Sequence, residues 1–223
     1  MPTTASAPQI RSDFDVIAAL LEHGAQAGPH EDWLLANLPA ARGVALELGC
    51  GVGHFSRRLA QTFERVVALD FSEGMIAAAR RQGGTSIEFV CAEMFGWLDA
   101  HPAAYDCIVT VATLHHVDLA TALRKMARAL KPGGRLLVLD LEERRGWRHV
   151  VSNGATWLYS LLRTPRALRD AFREHGRNET YLTIDEVRRI AGAELPGARV
   201  RPHLLGRYSI AWDATAPSPG WRR

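Results

Sequence analysis

The amino-acid sequence predicts an α/β fold: a doubly wound, mostly parallel seven-stranded sheet with a C-terminal antiparallel strand pair and a helical N-terminal extension. Three observations predict it. Near-continuous apolar runs alternate with helical segments from Val44 to Leu141, the pattern of strands covered by helices on both faces. The first apolar run leads directly into a glycine-rich turn, Gly49-Cys-Gly-Val-Gly53. Where the alternation stops, the segment ARVRPHLLGRYSIAWD reads as two strands around a loop.

Residues 1–12 are small and polar and are expected to form a disordered tail, and residues 215–223 a loose one. A single domain is expected over 13–214. Phe14, Ile17, Ala18 and Leu21 recur at helical spacing behind Asp13, a plausible cap. A second short helix runs from His30 to Leu38 and is stopped by Pro39. Strands follow at Val44–Leu48, Arg65–Leu69, Ile87–Val90, Tyr105–Val111 and Arg135–Leu141, with helices at His54–Phe63, Glu73–Gln82 and Leu119–Leu130. Lys131-Pro-Gly-Gly reads as a turn. Beyond it, aromatics and arginines mix over 142–192, with a helix over Gly154–Leu162 and a capping box from Thr183 to Glu186. The terminal strand pair falls in 197–213.

The chain has 223 residues, 47% of them apolar and 23% charged, the balance of an ordinary globular protein. No apolar run reaches the ~18 residues of a membrane span. The N-terminus lacks the features of a secretory signal, and the cysteines Cys50, Cys91 and Cys107 are too few and too widely spaced for a disulfide framework or a zinc site. A cytoplasmic setting is therefore expected. All three cysteines read as packing residues. The net charge is +3, and all basic residues but Lys125 and Lys131 are arginines. Arginines at 163, 166, 169, 173 and 177 make a helical stripe, which reads first as a solvated face with Asp170 and Glu174 as partners.

The glycine turn carries the chemistry. Glycines allow a sharp turn and close approach of a ligand, and open parallel sheets bind ligands at the carboxyl ends of their strands. The dinucleotide spacing G-x-G-x-x-G fails because position 54 is His, and no G-x-x-x-x-G-K-[ST] is present. Asp70, at the end of the next strand, can accept both hydroxyls of a ribose.

The run ELGCGVG, followed by ALDFSEGM and LKPGGRLLVLD, resembles the class I S-adenosylmethionine-dependent methyltransferases, with a flavour of the small-molecule branch that includes quinone and natural-product methyltransferases. The resemblance covers residues 42–141. It implies that Glu47, Gly49, Cys50, Gly51 and Gly53 form the loop holding the methionine part of the cofactor S-adenosylmethionine. It implies that Asp70 binds the ribose and that Phe71 and Met75 lie by the adenine. Ala92, Glu93 and Met94 follow the third strand, where the family often has an Asp for the adenine amine. Thr110 and Val111 end the fourth strand, where backbone carbonyls face the cofactor's amino group.

In-line transfer from a sulfonium needs no metal, and positioning supplies most of its acceleration. His115 and His116, just past the fourth strand, are the candidate general bases. Asp140, Glu142 and Glu143 cluster after the fifth strand, but the second Asp of a metal-dependent catechol-type site is replaced by Thr110-Val-Ala-Thr113, so no metal is expected. His30, Trp147 and Trp157 are candidate acceptor contacts, the region 142–192 being where the resembled family often builds its acceptor lid. The expected acceptor is a small molecule, methylated on O, N or C, and the chain a monomer or homodimer. An RNA methyltransferase is disfavoured because no separate nucleic-acid-binding domain and no Asn/Asp/Ser-Pro-Pro-aromatic motif is present. A non-catalytic cofactor-binding subunit is the remaining alternative.

Overall fold

The computed structural model describes residues 30–143 and 181–214. Its element order is α1 (Glu31–Ala36), β1 (Val44–Leu48), α2 (His54–Leu59), β2 (Arg65–Asp70), α3 (Glu73–Arg81), β3 (Ile87–Cys91), α4 (Met94–Ala100), β4 (Tyr105–Val111), a 3-10 turn (Leu114–His116), α5 (Leu119–Ala129), β5 (Leu130–Leu141), α6 (Ile184–Glu194), β6 (Arg199–His203) and β7 (Arg207–Asp213). The helices expected over Asp13–Glu22 and Gly154–Leu162, the arginine stripe, Trp147, Trp157 and both tails lie outside the described residues.

The strands form one seven-stranded sheet in the order β3-β2-β1-β4-β5-β7-β6. The first five are parallel, and β7 pairs antiparallel with both β5 and β6. Alternate side chains of each strand point to opposite faces, and both faces are buried. On one face Ala45, Val66, Val109 and Leu137 pack under α1 and α2, through Leu34, Phe55 and Leu59. On the other, Leu46, Leu48, Ile108 and Val138 meet Leu98 of α4, Leu123 and Met126 of α5 and Val187 of α6. Each fully buried Leu or Phe contributes about 1.5–3 kcal/mol.

Local chemistry sets the boundaries. Ser72 accepts from the Met75 amide to start α3, Asp118 accepts from Thr121 to start α5, and Thr183 and Glu186 close the expected capping box on α6. Two elements depart from the sequence expectation. A helix, α4, follows β3, because Glu93 caps it by accepting from Gly96. And β5 begins at Leu130: the Lys-Pro-Gly-Gly segment stays within the strand as an irregularity in its pairing with β4. Cys91 is exposed at the end of the edge strand β3, where core packing was expected, and its thiol donates to the Phe71 carbonyl. Among the described residues no helix is long and apolar enough to cross a membrane.

Candidate active site

In this strand order the chain winds outward from β1 in one direction and from β4 in the other, so a crevice opens between their carboxyl ends. The loop after β1 and the turn after β4 face each other across it.

The loop is held tightly. The amides of Gly49 and Cys50 both donate to the Leu69 carbonyl, at 2.8 and 2.9 Å, and the Gly51 amide donates to Asp70 Oδ2 at 2.8 Å. Gly49 has a φ of 71°, and a Cβ there would lie 2.2 Å from Thr113 Oγ1. Thr113 therefore packs where a side chain at 49 would stand, and its hydroxyl donates to the Leu48 carbonyl at 3.4 Å, joining the end of β1 to the turn after β4. At Gly51, by contrast, a Cβ would meet nothing nearer than Met75 Sδ at 3.9 Å, so that part of the loop presents open backbone over Met75.

Two acids flank the loop. Glu47, 2% exposed, points to the α2 face and accepts from the Ser56 hydroxyl. Burial pushes its carboxyl up to about 8, helped by repulsion from Glu31 and Asp70 and only partly opposed by Ser56. Asp70, 8% exposed, also accepts from the Ser72 amide at 3.0 Å; burial raises its pKa while the Ser72 and Gly51 amides pull it back. Neither acid forms an ion pair among the described residues. An acid-flanked cradle of bare backbone suits a ligand that brings positive charge and hydroxyl donors. Cys50 is buried and its thiol pushed up by burial, which suits packing rather than nucleophilic chemistry.

The turn after β4 organises a second set of groups. Asp140, fully buried near the end of β5, accepts four hydrogen bonds. Its Oδ2 takes the Leu114 and His115 amides at 2.6 and 3.1 Å, and its Oδ1 takes the Leu141 amide at 2.7 Å and faces His115 Nδ1 at 2.6 Å. With Nδ1 donating to the carboxylate, the other ring nitrogen, Nε2, is left as an acceptor. The His115 ring lies 4.0 Å from that of His116 and 5.3 Å from that of Tyr181 between ring centres, the pairs tilted by 45° and 43°.

The other sequence candidates fall as follows. Phe71 is half-buried beside Asp70, and Met75 is buried beneath Gly51. Gly53 begins α2. The Ala92 amide donates to the Asp70 carbonyl, and Glu93 Oε2 accepts from the Gly96 amide at the start of α4. Thr110 is buried, while the Val111 carbonyl accepts from Thr113 Oγ1 at 3.0 Å. His30 is not at the glycine loop: its Nε2 meets the Leu204 carbonyl at 3.1 Å, in the β6–β7 turn, and its ring lies 5.0 Å from that of His203. Sequence reading treated Asp140 as one of three strand-end acids and did not pair it with His115. A carboxylate inside the apolar run RLLVLDL was the available signal, because a buried charge requires partners. Among the described residues no cluster of three metal-ligating side chains occurs.

A methyltransferase-domain family model matches residues 46–138, the span from β1 to β5. An uncharacterized methyltransferase of Mycobacterium bovis is 31% identical over 197 residues, covering 84% of this chain and 96% of that protein. With these matches on the geometry above, the chain belongs to the class I, Rossmann-like S-adenosylmethionine-dependent methyltransferases. Its cofactor is S-adenosylmethionine. Among individual relatives, a ubiquinone biosynthesis O-methyltransferase of Xylella fastidiosa is 29% identical, covering 94% of this chain and 92% of its own. The solved DhpI–SAH complex shares the fold with a TM-score of 0.61 at 24% identity, covering 93% of this chain and 97% of that one.

Proposed function

We propose that this methyltransferase methylates a hydroxyl oxygen of a small-molecule acceptor, with His115 as general base and Asp140 as its positioning residue. The carrying observation is the 2.6 Å contact between His115 Nδ1 and Asp140 Oδ1, which orients the ring and, in the neutral imidazole, selects the tautomer whose Nε2 can accept a proton. The O-methyltransferase name of the Xylella fastidiosa relative supports oxygen as the acceptor atom.

Glu47, Gly49 and Gly51 would hold the methionine end of the cofactor, Asp70 the ribose, and Phe71 and Met75 the adenine side. When bound, the cofactor supplies an electrophilic methyl group on a positively charged sulfur. The rest is the work of the chain. Asp70 and the glycine loop position the cofactor, and the Thr113 contact holds that loop against the turn bearing the base. His115 Nε2 takes the acceptor's proton as its oxygen becomes nucleophilic. Asp140, held by three amides, keeps the imidazole in one tautomer.

The test is turnover by release of S-adenosylhomocysteine over a panel of hydroxylated metabolites, with cofactor affinity measured separately. His115→Gln is expected to lower kcat by about 10²–10⁴-fold and Asp140→Asn to lower it in the same direction, both with unchanged affinity for S-adenosylhomocysteine. Full kcat in His115→Gln would remove the base from the mechanism.

A further inference from the structure

A cavity of about 170 Å3 opens beside His115, bounded by the 3-10 turn, the start of α5, α6 and the ends of β5 and β7. Its wall is mainly aliphatic, from residues such as Leu119, Leu141, Leu182 and Ile190. Of its polar members, Asp118 is solvent-exposed and occupied with capping α5, and His115 is bonded to Asp140.

Tyr208 is different. It stands directly opposite Asp140 in the β5–β7 register, so the two side chains are cross-strand neighbours on one face of the sheet. It is 3% exposed and lines the cavity, and its hydroxyl is not one of the sealed, unpartnered polar atoms among the described residues. A hydroxyl on the wall of an otherwise aliphatic cavity is placed to donate to an oxygen that a ligand brings. Burial, with Asp140 and Glu142 nearby, raises the Tyr208 pKa, so at neutral pH the phenol keeps its proton and can donate it.

We propose that this cavity is the subsite for one apolar ring of the acceptor, and that Tyr208 Oη orients that ring by donating to an oxygen substituent on it. The assignment of the ligand as the acceptor rests on the reading of His115 above. Size supports a single ring: a cavity of about 150 Å3 with aliphatic and aromatic walls takes up benzene. The chemical class is a ring bearing an uncharged oxygen substituent and otherwise apolar, since the described lining residues include no lysine or arginine. Tyr208 lies on the terminal strand pair, so that pair contributes to acceptor choice as well as closing the sheet.

The probes are 4-fluorophenol and fluorobenzene, titrated by fluorine NMR against the full chain loaded with S-adenosylhomocysteine. Both are expected to bind and to compete with each other. Tyr208→Phe, which keeps the ring and removes the hydroxyl, should weaken 4-fluorophenol by about 3–10-fold and leave fluorobenzene unchanged. Ile190→Trp, which fills the cavity, should abolish both. The proposal is overturned if neither probe binds, if Ile190→Trp leaves their binding intact, or if Tyr208→Phe weakens both probes equally. No readout depends on turnover, so the two readings fail separately. Probe binding alongside full kcat in His115→Gln sinks the base and the assignment of the ring to the acceptor, with ring binding itself intact; lost turnover with no probe binding sinks the subsite alone.

Discussion

Gly49→Ala probes the contact that joins the two halves of the site. Its φ of 71° lies in the left-handed region, and the new Cβ would sit 2.2, 2.5 and 2.9 Å from Thr113 Oγ1, Cγ2 and Cβ. The backbone penalty is about 1–2 kcal/mol, and overpacking adds about 1–3 kcal/mol. A total of about 2–5 kcal/mol corresponds to a fall in Tm of roughly 6–15 °C for a chain of this size. Gly197→Ala is the control: its φ is 85°, but nothing lies within 4 Å of the Cβ position, so only the backbone penalty applies. Thr113→Ala removes the two nearest contacts and keeps the third. The double variant Gly49→Ala/Thr113→Ala should therefore show a favourable coupling of about 1–2 kcal/mol, above the ~0.5 kcal/mol of independent sites. The assay is urea and thermal unfolding of the four variants without ligand. If Gly49→Ala is no worse than Gly197→Ala, or the double variant is additive, Thr113 does not exclude a side chain at position 49.

Two further predictions concern the acids. The folded pKa of Glu47 is raised, so the native chain retains a proton that the unfolded chain loses, and stability falls as pH rises from about 4.5 to about 8. The loss is at most about 5 kcal/mol. Glu47→Gln should flatten that slope in urea midpoints taken at pH 5, 7 and 9, and a slope equal to that of the unmodified chain would contradict the burial argument. Asp70→Asn should reduce affinity for S-adenosylhomocysteine by about 10–100-fold, the worth of hydrogen bonds to a charged acceptor, in a calorimetric titration; unchanged affinity would remove Asp70 from the ribose.

The placement of the glycine loop and Asp70 was legible in the chain because its determinants are local. Gly49, Gly51 and Gly53 follow a buried strand directly, and Asp70 ends the next one, so strand periodicity alone carries them to the same sheet edge. Thr183 and Glu186 are three residues apart and cap their helix wherever it packs. Glu93 is a further local case: its Oε2 accepts from the Gly96 amide three residues on and starts α4, a helix the sequence reading did not mark.

The sequence by itself determined the fold class, the alternating order of elements and the place of the glycine loop, since each depends on residues close together in the chain. Only the tertiary structure decided that Asp140 faces His115, that Thr113 abuts Gly49, and that Tyr208 stands beside Asp140 at the wall of a ring-sized cavity. These contacts join residues far apart in the chain, and they depend on strand order and register. Register decides which face each side chain meets: a shift of one residue in β7 would turn Tyr208 away from Asp140 to the opposite face of the sheet.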